Sequence, residues 1–209
     1  MSLQTVLAEI EPGWYAAEGE GDIAPALVAR ARGSALGERL LARWLASGHA
    51  SALLAPTPQR EIAGIAVRWT RERLQPFLRD LGVLSMAPAI RGEVGRDAVR
   101  RLKQALGNSY LLALDRTVWD GQVAAEASAR MAAELDVAMA VGASAHQSLY
   151  ALFDHHGRSE LRAWAREHDP ALGQWTMLLH RREDELPTVL PAMQVQLLHE
   201  HHLARDRNA

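Results

Sequence analysis

RDAVRRLKQALGNSYLLALD, residues 96–115, decides how the chain is built. Its first half sets Val99, Leu102 and Leu106 at spacings of three and four, the period of a helix with one apolar side. Gly107-Asn108 then breaks the period with the two residue types that most readily take positive φ, and Ser109 restarts an apolar run. The stretch is expected to fold as helix, corner, helix, with Asp97 capping the first helix. Four of the five charges on that helix are cationic: Arg96, Arg100, Arg101 and Lys103. The i, i+4, i+7 spacing of Arg96, Arg100 and Lys103 puts them on one face, opposite Val99, Leu102 and Leu106.

Helical periods continue on both sides. Towards the N-terminus, Ser34 caps a helix running to about Ser47, with Leu36, Leu40, Leu41 and Trp44 along one side and Gly48 as its stop. A second helix is expected from Gln59, with Ile62, Ile65, Ala66 and Trp69 on its stripe, until Pro76 bends or ends it. LGVLSMAPA, residues 81–89, is apolar without a period and is broken by Gly82 and Pro88, so a buried turn is expected there. Beyond the opening stretch, Val123, Ala127, Met131, Leu135 and Met139 recur at steps of four. Ser144 and Ser159 read as caps of two short helices closed by Gly157 and by His168-Asp169-Pro170. Pro170 opens a further helix through Trp175 and Leu179, and Pro187 and Pro191 precede a last one with Leu190, Met193 and Leu197 on its stripe. No β-branched run of period two occurs. An all-α, bundle-like single domain of roughly eight helices is expected over residues 34–209, preceded by a partly irregular segment, residues 1–33, that holds EPGWYAAEGEGDIAP.

Charge and composition narrow the function classes. With 23 basic and 25 acidic side chains among 209 residues, a formal charge of −2 gives no general attraction to nucleic acid or to an anionic bilayer. The absence of cysteine removes disulfides and thiolate-bound metals. No segment has the run of apolar residues that a membrane span needs, and a cytoplasmic location is expected.

Nine histidines, all but His49 beyond residue 145, raise the question of a metal. In LHEHHLAR, His199 and His202 share a helix face while His201 points elsewhere, and Glu200 is on the wrong side to join the pair. We read them as a solvated polar face. Asp154-His155-His156 matches the tripeptide of the DHH phosphoesterases, but the companion DxD is missing, and histidines ahead of Gly157 suit a helix C-terminus. Nucleophile-elbow and phosphate-loop motifs do not occur. No cofactor and no metal are expected. A metal-dependent hydrolase built on the late histidines and a small nucleic-acid binder remain the alternatives. The cluster of Arg91, Arg96, Arg100, Arg101 and Lys103 is open to three readings: a solvated face, a nucleic-acid site, or a dock for an acidic protein. Trp14, beside Tyr15 in the glycine-rich segment, is either a partner anchor or part of a loop folded on its own core.

Residues 81–116, LGVLSMAPAIRGEVGRDAVRRLKQALGNSYLLALDR, resemble the central segment of the YscK-like family, a component of the cytoplasmic sorting platform of bacterial type III secretion. The likeness is one of layout: LG, a small apolar run with Ala-Pro, basic residues, V-R-x-L-x-x-x-L-G, and an apolar helix. It covers about a sixth of the chain. The resemblance implies a helical, non-enzymatic adaptor at the cytoplasmic face of the inner membrane. Its implied partners are the forkhead-associated-like cytoplasmic domain of the inner-membrane ring protein and the pod protein of the platform.

Overall fold

The computed structural model describes residues 3–15, 24–54, 65, 66, 68–140 and 145–205. Among these the regular elements are all helical, as expected. They are α1 (Leu3–Glu9), a 3-10 turn (Pro12–Tyr15), α2 (Pro25–Arg32), α3 (Ala35–Ala46), α4 (Arg71–Ser85), α5 (Ala87–Gly92), α6 (Arg96–Leu106), α7 (Ser109–Leu114), α8 (Ala125–Ala140), α9 (Ala145–His168), α10 (Pro170–Leu178) and α11 (Ala192–Arg205). The chain divides into two compact units interleaved in sequence, one of residues 1–74 with 165–184 and the other of residues 75–164 with 185–209. No helix among the described residues is long and apolar enough to cross a membrane.

Local chemistry places several helix ends. Ser34 Oγ accepts the Gly37 N–H at 3.1 Å and so starts α3, as its sequence implies. Asp169 Oδ1 accepts the Leu172 N–H at 3.0 Å, while Pro170 takes the first position of α10, where no N–H is required. Gly107, at φ 53°, makes the corner between α6 and α7, a conformation that favours a residue without Cβ. The expected helix start at Gln59 with Ile62, and the Ser144 cap, fall outside the described residues. Pro76 does not end a helix: the chain turns at Trp69, restarts at Arg71, and carries Pro76 inside α4 on its exposed side.

In the first unit, α2 packs on α3 and α1 packs on both. Val6, Leu7, Ile10, Val28, Leu41 and Leu45 are buried, each such side chain contributing about 1.5–3 kcal/mol. The stripe of α3 is split: Gly37, Leu41 and Leu45 point inward, but Leu36 and Leu40 are exposed, contrary to the expected single apolar side. Two long-range ties close the unit. Gln174 Oε1 accepts the N–H groups of Ala52 and Leu53 at 2.9 and 2.8 Å, and Trp175 Nε1 donates to Trp69 O at 2.7 Å.

In the second unit, LGVLSMAPA is helix rather than turn. It ends α4 and begins α5, and all of it except Pro88 is buried. A segment enclosed on every side has no polar face to create a period, which is why its sequence looks structureless. α5 packs on α7 and α8, and α6 on α7. Residues of α4 and α9 approach backbone to backbone: a Cβ on Gly82 would strike the Phe153 carbonyl, and one on Gly157 the Leu78 carbonyl. Gly157 and Ser159 therefore lie in the middle of an unbroken α9 and are not a stop and a cap. Along α11 the inward residues are Val195, Leu198 and His202, while Met193 and Leu197 of the expected stripe face outward.

Candidate protein-docking site

α6 starts from Gly95, whose N–H is taken by Glu93 Oε1 at 2.6 Å. No side chain caps the helix. Asp97 is the second residue of the helix, where a carboxylate in the first turn still meets the positive end of the helix dipole, so the expected capping role is replaced by this weaker one. Leu102, Ala105 and Leu106 face the core, whereas Val99 is half-buried at its edge. On the outer side, Arg96, Arg100 and Lys103 are exposed and share one face, as their spacing implies. With Val94, Val99 and Gln104 they line an open groove of about 550 Å³. Val94 is 92% exposed, an apolar residue presented directly beside the cations. Lys103 Nζ lies 5.6 Å from the centroid of the Tyr110 ring, which restrains its ammonium on this face. A groove of this kind pairs two guanidinium forks with apolar walls. It suits a protein segment bearing carboxylates next to aliphatic side chains.

The other members of the basic cluster do different work. Arg91 donates to three backbone carbonyls, those of Ala113, Trp119 and Asp120, at 2.6, 2.7 and 2.7 Å. Its guanidinium is thus committed to fastening the end of α7 and the turn that follows, and it is not offered to a partner. Burial lowers its pKa, with a further contribution from nearby Arg116. Arg101 Nη1 donates to Met139 O at 3.2 Å, serving one of the orphan carbonyls at the C-terminus of α8. Trp14 is 6% exposed, its indole N–H bonds His180 O at 2.6 Å and Arg182 covers its ring, so it is a core residue and not an exposed anchor. Tyr15, also buried, donates its hydroxyl to Leu7 O at 3.0 Å.

Of the three histidines of α11, His201 is exposed as expected, but His199 and His202 are not part of a solvated face. His202 is buried and its Nε2 lies 2.9 Å from Asp80 Oδ2, while the other oxygen of Asp80 accepts the Ser109 hydroxyl at 2.5 Å. A cleft of about 720 Å³ opens beside Asp80, Ser109 and His201. The order is serine, carboxylate, histidine, so the serine proton points to Asp80 and no ring nitrogen is placed to take it. His199 packs against Phe77 and Trp164, with centroids 5.9 and 5.2 Å away.

The Asp-His-His tripeptide is likewise dispersed within a continuous helix. Asp154 accepts Arg79 Nε and Nη2 at 3.1 and 3.0 Å, and His156 Nε2 lies 2.7 Å from Glu134 Oε2. Burial lowers the His156 pKa, opposed by Glu134. Among the described residues no group of three or more His, Asp or Glu is arranged to hold a metal ion.

Two features escaped the sequence. Val94 has no place in the sequence reading, and the available signal was an aliphatic residue inside Gly-Glu-Val-Gly-Arg, where loops ordinarily carry polar side chains. Glu160 had no signal at all. It is 2% exposed, and its carboxyl accepts the N–H groups of Val189 and Leu190 at 2.8 and 3.2 Å, while Ser159 Oγ accepts that of Leu186 at 3.1 Å. Burial pushes the Glu160 pKa up to about 7 against the pull of those two N–H groups.

No protein-family model, curated protein or solved structure matches the chain. The likeness of residues 81–116 to the YscK-like layout rests on those residues alone.

Proposed function

We propose that the chain is a non-enzymatic adaptor that docks an acidic protein segment in the α6 groove. The observation that carries this reading is the exposed trio Arg96, Arg100 and Lys103 set beside the outward-facing Val94. Cations that no carboxylate among the described residues pairs with, placed next to apolar surface, give orientation and rate from the charges and affinity from the aliphatic contact. The resemblance over residues 81–116 supplies the setting: a type III secretion sorting platform, with the forkhead-associated-like domain of the ring protein and the pod protein as candidate occupants.

The test is binding of those two proteins to the full chain and to Arg96→Glu/Arg100→Glu. The double variant is expected to lose at least about tenfold in affinity for one of them, with a thermal melt close to wild type because both side chains are exposed. Raising salt should weaken the wild-type complex as well. Undiminished binding by the variant would remove α6 from the interface, and failure of both proteins to bind the wild type would remove the sorting-platform assignment.

A further inference from the structure

The described residues of the first unit leave an apolar surface exposed. Leu27 of α2 and Leu36 and Leu40 of α3 are 54%, 67% and 59% exposed. Leu27 and Leu40 stand over a groove of about 550 Å³ between the two helices, floored by Val28, Ala31, Leu41 and Trp44. On α3 Leu36, Leu40 and Trp44 follow the i, i+4, i+8 spacing of a single face, adjacent to the inward face of Gly37, Leu41 and Leu45. α3 therefore has two apolar stripes, one of which packs on its neighbours and one of which is presented outward.

Arg43 stands on the rim of the groove. Arg30 on α2 and Arg39 on α3 are exposed on the same two helices, and Glu38 is the only acidic residue on either of them. Arg39 spends its Nε on Ala35 O at 3.2 Å, which leaves the outer nitrogens of its fork available. No salt bridge among the described residues engages Arg30, Arg39 or Arg43. Arg32 differs: it bonds Ile10 O and lies over the Tyr15 ring, inside the fold.

From this arrangement we propose that the α2–α3 groove is a second docking surface, occupied by an amphipathic helix of a partner protein whose apolar stripe is flanked by acidic residues. Twelve residues of α3 at about 1.5 Å each give a wall of about 18 Å, enough for three turns of a bound helix and anchors at i, i+3 or i+4, and i+7. The cations on the two helices set the sign of the flanking charge. A lipid surface would be met by a convex apolar ridge, whereas here the leucines border a concave floor. The inference is independent of the α6 groove, and together the two surfaces would let one chain hold two partners.

The test is selection from a display library of random peptides of about 14 residues, four helical turns, against the full chain. Enriched sequences should carry apolar residues at helical spacing flanked by Asp or Glu. The best of them, synthesised, should bind wild type and lose at least about tenfold in affinity for Leu40→Glu and for Leu27→Glu. Two exposed positions are used so that a fold lost in one leaves the other to decide. Arg96→Glu/Arg100→Glu should bind the same peptide as wild type does. The proposal is overturned if no peptide is enriched, if the enriched sequences lack the acidic amphipathic pattern, or if both glutamate variants bind unchanged. Binding of phosphatidylserine–phosphatidylcholine vesicles in place of peptide, abolished by Leu40→Glu, would also overturn it in favour of a membrane.

Discussion

Replacing Glu160 with glutamine should flatten a pH dependence that the wild-type protein carries near neutrality. The carboxyl is raised from its ordinary 4.5 to about 7, chiefly by burial. Below pH 4.5 it is protonated in folded and unfolded chains alike, and its contribution to stability is fully present. As pH rises from 4.5 to 7 the unfolded chain releases the proton while the folded chain keeps it, so stability falls; above 7 both are ionised and the loss is complete. At about 1.36 kcal/mol per pH unit, that interval amounts to about 3 kcal/mol. Glutamine keeps the shape and one acceptor for Val189, but turns an amide N–H towards the Leu190 N–H, a constant cost of about 1–3 kcal/mol. The stability of wild type minus that of Glu160→Gln should therefore be highest near pH 5, about 1–3 kcal/mol, and fall by about 3 kcal/mol by pH 8, so that the difference closes or reverses sign. Urea unfolding followed by tryptophan fluorescence at half-unit pH steps measures it. Taking the difference between the two proteins cancels groups with the opposite slope, such as His156, whose lowered pKa removes stability as pH falls. A gap constant across that range would refute the account of a buried, protonated carboxyl beneath the Leu186–Leu190 segment.

Gly157→Ala and Gly82→Ala should each destabilise by about 3 kcal/mol or more, because the new methyl meets a backbone carbonyl that cannot swing aside, while Gly48→Ala, with open space around it, stays within about 0.5 kcal/mol; thermal melts of the three variants compare them directly. Arg91→Lys should cost about 2 kcal/mol, since a single ammonium cannot reach three carbonyls held by a planar fork. Hydrogen exchange should speed up at the amides of residues 114–120 first.

How far the sequence reached depends on where each signal originates. The α3 start was legible because Ser34 caps its own helix, and the corner because Gly107 must take positive φ. The stripe of Met131, Leu135 and Met139 on α8 was legible because one side of that helix faces solvent. What failed was set by distant chain. Gly157 and Gly82 look like breakers until each is seen opposite another backbone. His202 looks polar until Asp80, 122 residues away, is placed beside it. Leu36 and Leu41 are alike in one dimension, and only the packing of α2 on α3 decides that the first faces out and the second in. The three cations of the α6 groove were found by spacing alone. Arg91 and Arg101 belonged to the same cluster by composition, yet their carbonyl acceptors lie on other elements.

The interleaving of the units sets an order of assembly during synthesis. Glu11 N–H bonds Leu178 O at 2.9 Å and Trp14 reaches His180, so the first 74 residues cannot finish their own core until residues 165–184 have left the ribosome. At about 5–20 residues per second, the intervening 90 or so residues take roughly 5–20 s to make. For that interval the Glu11 N–H and the Trp14 indole wait without the carbonyls that they bond in the finished fold. The nascent chain is then open to capture by chaperones or by its own neighbours, and slow codons within residues 75–164 would lengthen that exposure.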